Sequence, residues 1–271
     1  MTKARPLSLI TGASAGIGAA FASALAARGH DLVLTARRTD RLEALAEELR
    51  GQHGVNATVL TCDLADPHAV EQLCTTLEER GLQVDWLINN AGYGVPGRFD
   101  QNDWPVHADF LRVLVTAPTE LAWRLIRGMR ELGYGRIVNV ASLAGHVPGT
   151  AGHTLYAASK AYMIKFSQSL ALENQELGVH ACALCPGFTR SEFHDVTGTR
   201  SLVSKMPAFM WQNAEAVVQE GIDAVERGEA VHVTGWFNRT VKSLFKLMPD
   251  RLALRMSAKQ SKRYRAQDSA G

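Results

Sequence analysis

A tyrosine and a lysine stand one helical turn apart in Tyr156-Ala157-Ala158-Ser159-Lys160. Residues at i and i+4 share a helix face, so the Lys160 ammonium can lie near the Tyr156 ring. A neighbouring cation favours phenolate over phenol and lowers a tyrosine pKa from its reference value of about 10. A tyrosine tuned that way can serve as general acid/base near neutral pH. Y-x-x-x-K alone is a weak signal, because many helices carry the pair by chance. Ser142 adds to it, 14 residues upstream at the exit of the apolar run Ile137-Val138-Asn139-Val140.

A second constellation is the turn Thr11-Gly12-Ala13-Ser14-Ala15-Gly16-Ile17-Gly18. It follows the apolar run Leu7 to Ile10 and opens an Ala-rich helical segment. Strand, glycines and helix in that order are the context of a dinucleotide site. Glycines let the backbone turn tightly against a pyrophosphate, and the helix N-terminus offers free N–H groups and a positive dipole end. The spacing is G-x-x-x-G-x-G rather than G-x-G-x-x-G. A tight turn with no ligand is the plainer alternative.

The elements that must position these residues alternate along the chain. Strands are predicted at about 7–10, 31–36, 56–61, 84–89, 136–140, 179–184 and 230–233, and helices at about 16–28, 40–51, 67–79, 106–131, 155–177 and 213–227. Such alternation predicts an α/β fold: a Rossmann-like, doubly wound, mostly parallel sheet with helices on both faces. Its ligand belongs outside the carboxyl ends of the strands. Residues 1–238 are expected to form one cofactor-binding domain, and 239–271 a basic amphipathic extension.

Together with Asn89-Asn90-Ala91-Gly92, Cys62-Asp63-Leu64 and Pro186-Gly187, these motifs resemble the short-chain dehydrogenase/reductase family along nearly the whole length. The resemblance implies an oxidoreductase in which Ser142 stabilises the carbonyl oxygen and Tyr156 passes it a proton. Lys160 tunes Tyr156 and holds the nicotinamide ribose. It further implies that Asp63 hydrogen-bonds the adenine, that Asn90 and Ala91 line the adenosine ribose, that Leu64, Gly92, Pro186 and Gly187 also bind the cofactor, and that Thr189 contacts phosphate. A homodimer or homotetramer through the helices around 106–131 and 155–177 is expected. One position departs from the pattern: where the family carries an asparagine that helps to anchor a water of the proton path, this chain has Leu114. A catalytically weak, cofactor-binding sensor or scaffold is the rival reading.

The second strand indicates the cofactor. An NAD enzyme usually ends it with an acid for the ribose 2′-OH. Here Leu32 to Ala36 runs into Arg37-Arg38. Arginine forks suit phosphate oxygens, which predicts NADP(H), with Arg37 the leading 2′-phosphate contact and Arg38 the second. In the plainer reading Arg38 and Arg41 pair with nearby acids.

Substrate clues are softer. After Pro186-Gly187, residues 188–212 hold Phe188, Phe193, Val196, Leu202, Val203, Met206, Phe209, Met210 and Trp211. That density suggests an apolar ketone, aldehyde or alcohol, although ordinary packing accounts for many of these side chains. Tyr93, Val95 and Phe99 are candidates for the same pocket, and His146, His153 and His194 for its rim.

With 271 residues and 46% hydrophobic content, the chain can bury one large core. No window reaches the roughly 18 apolar residues of a membrane span, and four cysteines without a paired framework suggest a reducing, cytoplasmic setting. Cys182 and Cys185 form a C-x-x-C on a strand, where side chains three apart point to opposite faces, which speaks against a metal site. Residues 239–271 carry nine Lys/Arg and two acids, net +7, whereas 1–238 carry twenty and twenty-five, net −5. Val241, Leu244, Phe245, Leu247 and Met248 make an apolar stripe interrupted by Pro249. The stripe can cover the chain's own site, pack on a second subunit, or lie weakly on an anionic membrane surface. The basic tail lacks a nucleic-acid module, so no nucleic acid is expected as a partner, and order is expected to end near 260.

Overall fold

The structure, a computed structural model, describes residues 5–190, 192 and 207–265. The main sheet begins with β1 (Leu7–Thr11) and β2 (Asp31–Thr35), followed by β3 (Ala57–Val59), β4 (Trp86–Asn89), β5 (Gly135–Val140) and β6 (Val179–Cys185). Two short strands, β7 (Phe188–Thr189) and β8 (Trp211–Gln212), pair with each other, and β9 (Val231–Val233) returns to the main sheet. The main sheet is wholly parallel in the order β3-β2-β1-β4-β5-β6-β9.

Successive strand residues point to opposite faces, and here both faces are buried. Ile10, Leu32, Leu34 and Ile88 pack on one side, Leu9, Val33 and Leu87 on the other. That is why these strands are continuous apolar runs rather than alternating ones. The first side is covered by α1 (Gly16–Ala26) and α2 (Thr39–His53), through Phe21, Leu25, Leu42 and Leu49. The second is covered by α3 (Ala69–Glu79), α4 (Trp104–Leu111), α5 (Ala117–Leu132) and α6 (Thr154–Asn174), through Leu73, Phe110, Leu121 and Ala171. α7 (Ala214–Glu226) joins the first side with Val217 and Ile222. Two helices complete the chain, α8 (Trp236–Leu247) and α9 (Asp250–Arg265). The Rossmann-like, doubly wound architecture expected from the sequence is thus the observed one.

Two expectations need correction. The single helix expected over 106–131 is interrupted by a π-helical turn at Arg112–Thr116. Pro118 is the physical reason. It has no N–H, and its ring crowds the carbonyl four residues back, that of Leu114. Just ahead of it the ladder widens, with the Ala117 N–H donating to the Arg112 carbonyl. At the other end, α9 runs to Arg265, past the expected limit near 260, and 266–271 lie outside the described residues. No helix among the described residues is long and apolar enough to cross a membrane.

Candidate active site

Strand register fixes the site. Thr11 lies beside Thr35, Asn89 beside Asn139 and Val140 beside Leu184, so the carboxyl ends of β1, β2, β4, β5 and β6 share one edge. The strand order reverses between β1 and β4, where a parallel sheet opens its ligand crevice. A cavity of ≈ 770 Å³ runs along that edge. Every catalytic and cofactor-binding residue nominated from the sequence lines it, except Gly18, which lies behind the turn.

Gly18 shows why the turn needs glycine. A Cβ there would stand 2.3 Å from the Gly12 carbonyl oxygen and 2.5 Å from Asn90 Nδ2, while Gly12 itself has φ +66. The turn is tied to the end of β4. Thr11 Oγ1 accepts from the Asn90 and Ala91 N–H groups at 3.0 and 3.1 Å, and Asn90 Nδ2 donates to the Thr11 carbonyl at 3.0 Å. The Asn90 side chain thus holds the turn in place as well as lining the cavity. α1 begins at Gly16 with no side-chain cap on its N–H groups and no acid in its first turn. An uncapped, acid-free N-terminus facing a cavity suits a pyrophosphate.

The two arginines at the basic end of the cavity are held differently. Arg37 is exposed at the rim. Arg38 is half-buried and donates to Ser14 Oγ from Nε and Nη2 at 3.2 and 3.0 Å. Its Nη1 donates to Glu192 at 3.0 Å, and Arg41 Nη1 donates to the same carboxylate at 2.7 Å. Arg41 and then Arg38 hold the Glu192 carboxyl below its ordinary range. Glu192 lines the cavity and was not nominated from the sequence. The acid that pairs with these arginines comes from more than 150 residues away, a distance no local pattern spans.

At the other end, the Ser142 hydroxyl stands close enough to the Tyr156 phenol to favour its phenolate and accepts from the Ala144 N–H at 3.1 Å. Lys160 is buried, donates from Nζ to the Val140 carbonyl at 2.8 Å, and lies 5.6 Å from the Tyr156 ring centroid. Gly145 sets the spacing of the two segments. A Cβ there would stand 2.7 Å from the Lys160 carbonyl carbon and 2.8 Å from the Ala161 nitrogen. Below this layer a buried chain joins three elements. Asn89 Nδ2 donates to Asn139 Oδ1 at 2.8 Å, Asn139 Nδ2 donates to Ser167 Oγ at 2.9 Å, and Ser167 donates to the Met163 carbonyl at 2.8 Å. It fixes α6, and with it Tyr156 and Lys160, against β4 and β5.

The electrostatics correct one expectation. Lys160 does not bring Tyr156 down towards neutrality. Burial pushes the phenol up to about 12, opposed in part by the Ser142 hydroxyl. Burial also pulls Lys160 down to about 8. The ammonium stands over the ring and spends a proton on the Val140 carbonyl, so desolvation wins over its attraction for a phenolate. Leu114 is buried beside this centre. Its Cγ and Lys160 Nζ lie 3.7 and 3.8 Å from where a Cβ on Gly92 would stand. A void of ≈ 10 Å³ next to them is lined by Thr11, Leu114, Lys160 and Asn89, and Asn89 Oδ1 is buried without a hydrogen-bond partner.

The remaining wall is apolar. Leu143, Val147, Pro148, Phe188 and Met210 meet Phe237, Val241 and Phe245 of α8. Ser257 of α9 closes the end and donates to the Gly149 carbonyl at 2.8 Å. α8 is anchored by Asn238, which donates to Thr234 and Gln212 at 2.8 and 3.1 Å. Tyr93 and His153 line the cavity as expected. Val95 and Phe99 instead border a separate small void with His107 and Phe110, and His146 does not reach the lining. Burial pulls the His146 imidazole down to about 4, and that of His153 below its ordinary value. Phe193, His194, Val196, Leu202, Val203 and Met206 lie outside the described residues. Cys182 and Cys185 pack in different core clusters, as opposite strand faces require.

Comparison with known proteins settles the class. The profile of the family described as short chain dehydrogenase matches residues 7–200. The chain belongs to this family. It is 38% identical over 189 residues to a sulfoacetaldehyde reductase of Chromohalobacter salexigens, covering 68% of this chain and 72% of that protein. Among solved structures it is similar to a short-chain dehydrogenase from Sphingobium yanoikuyae in complex with NADPH, with TM-score 0.79, 33% identity, and 90% and 96% of the two chains covered. It is also similar to the bulky-bulky ketone specific alcohol dehydrogenase from Comamonas testosteroni, with TM-score 0.74, 31% identity, and 90% and 95% covered. The protein is an oxidoreductase of the short-chain type.

Proposed function

We propose that this oxidoreductase interconverts an apolar ketone or aldehyde and its alcohol with NADP(H), Tyr156 acting as general acid/base. The observation that carries this reading is the meeting of Ser142, Tyr156 and Lys160 in one cavity that has an arginine edge and an apolar wall. The uncapped α1 N-terminus, the glycine cradle and Arg38 beside Ser14 fit a dinucleotide bearing a 2′-phosphate. Gly12, Ser14, Ala15, Gly16, Ile17 and Gly18 would hold the pyrophosphate, with Thr189, Pro186 and Gly187 beside them. Arg37 and Arg38 would hold the 2′-phosphate, Asp63 and Leu64 the adenine, and Asn90, Ala91 and Gly92 the adenosine ribose.

When bound, NADPH supplies the hydride to the carbonyl carbon. Ser142 donates to the carbonyl oxygen, where negative charge develops. Tyr156, protonated at neutral pH because burial holds it near 12, transfers its proton to that oxygen. The resting state is therefore the one that reduction requires. The apolar lining excludes water and supports a substrate with a large apolar body.

α5 and α6 expose Trp123 and Leu172 (71% and 73%), which supports a homodimer or homotetramer through that face. All four cysteines are free, as a reducing compartment such as the cytoplasm leaves them.

The test is NADPH oxidation across a panel of apolar ketones, aldehydes and diketones, with Tyr156→Phe alongside. Turnover should fall by about 10²–10⁴-fold in the variant while its NADPH affinity is kept. Tight NADPH binding with no turnover anywhere in the panel would favour the sensor reading.

A further inference from the structure

The basic extension has two faces, and among the described residues only one lines the cavity. Phe237, Val241 and Phe245 of α8 turn inward to the substrate cavity. The opposite stripe, at i, i+4, i+7 and i+11, is Trp236, Thr240, Ser243 and Leu247. Its two apolar members are 68% and 85% exposed, and Leu244 beside them is 53% exposed. Arg239 and Lys246, seven residues apart, run along the other flank and are exposed. α9 repeats the pattern, with Leu252 and Met256 one turn apart and exposed, and Arg251 and Arg255 on the neighbouring stripe. Between 236 and 258 the chain carries five Lys/Arg and one acid, Asp250.

We propose that the outer face of α8 and α9 docks on an anionic lipid bilayer. Large apolar side chains interleaved with cations match an interface that offers acyl chain below and anionic headgroups above. The rest of the molecule carries the opposite charge, net −5 over 1–238, so a flat anionic surface attracts this face selectively. A second copy of the chain has another seat, the apolar face around Trp123 and Leu172 on α5 and α6. The helix that would lie on the bilayer is also the wall of the cavity, so docking brings the apolar substrate pocket to where an apolar substrate dissolves. Vesicle binding is read without turnover, so it stands apart from the catalytic reading.

The full-length protein would be sedimented with phosphatidylcholine vesicles and with vesicles in which about a third of the lipid is phosphatidylglycerol. Binding is expected to the anionic vesicles, at least about tenfold weaker to the neutral ones, and weakened by salt at about 0.5 M. The double variant Leu244→Glu, Leu247→Glu changes two residues that do not line the cavity. It should lose about tenfold or more in vesicle affinity while keeping its turnover of a water-soluble carbonyl and its mass by light scattering. Equal binding to both vesicle types, no binding to either, or unchanged binding by the variant overturns the proposal. So does a variant whose mass falls, because a second copy then occupies this face.

Discussion

The two ends of the cavity are built on different principles. The cofactor end and the catalytic centre stand on strand ends, where register, hydrogen bonds and close backbone contacts fix each group: Asn90 to the turn, Asn139 to Ser167, Gly145 against α6. The substrate end is roofed by Phe237, Val241 and Phe245 of α8 and closed by Ser257 of α9, helices that lie beyond the residues matched by the family profile. On the proposed function, the polar frame would carry the chemistry and the appended apolar wall the specificity. Substitutions at the first end should therefore damage cofactor binding or turnover, and those at the second only substrate affinity.

The largest effect is expected at Gly18. Gly18→Ala puts a carbon into the Gly12 carbonyl and the Asn90 side-chain amide, the backbone of the turn and the group that ties it to the end of β4. Overpacking of this kind should weaken NADPH binding by about a hundredfold. Binding by fluorescence titration within threefold of the parent would mean that the turn is softer than its hydrogen bonds suggest. Next comes Arg38→Ala, which removes a charged donor beside Ser14. KM for NADPH should rise by about 10–100-fold and that for NADH by much less. Glu192→Gln should act the other way, because it removes a carboxylate competing for Arg38 and Arg41, and should lower KM for NADPH. Equal catalytic efficiency of the parent with both cofactors would remove the preference.

How much of this was legible in the sequence follows the same division. Tyr156, Lys160, Ser142 and the glycine turn stood out in the sequence by residue type and spacing, and the fold brings them to one cavity. The strands themselves could be read because a parallel sheet buried on both faces writes itself as apolar runs. The apolar stripe of α8 was legible too, but not which surface it would cover, since that depends on where β9 leaves the sheet. Glu192 was not legible, because its pairing with Arg38 and Arg41 is purely tertiary. The upward shift of Tyr156 was also missed, since spacing shows the cation but not the burial that outweighs it. The π-helical turn was missed as well, although the missing N–H of Pro118 was there to mark a break in the helix expected over 106–131.

A smaller effect tests the apolar wall. Phe237→Ala or Phe245→Ala removes one aromatic face from the cavity. KM for a bulky apolar ketone should rise by about tenfold with kcat nearly unchanged, the mark of lost uniform binding. A drop in kcat instead would mean that α8 helps to position the catalytic centre, and the division between frame and wall would fail.

The smallest effect is expected at Leu114, which lies in the frame yet offers no hydrogen bond. Asn89 Oδ1, an acceptor without a protein partner, borders the same void as Leu114 and Lys160, so a polar anchor is present without a side chain at 114. Leu114→Asn should therefore leave kcat within about twofold of the parent. Its signature should be in the pH profile. Reduction needs proton delivery at the Tyr156–Lys160 pair, and Lys160 is held near 8 by burial. The reductive rate should be flat below that pH and fall as pH rises through it. An amide oxygen introduced beside the ammonium favours the charged form, so the alkaline limb should move to higher pH in the variant. A large gain in kcat at neutral pH would show instead that the leucine limits proton transfer, and that this part of the frame is incomplete.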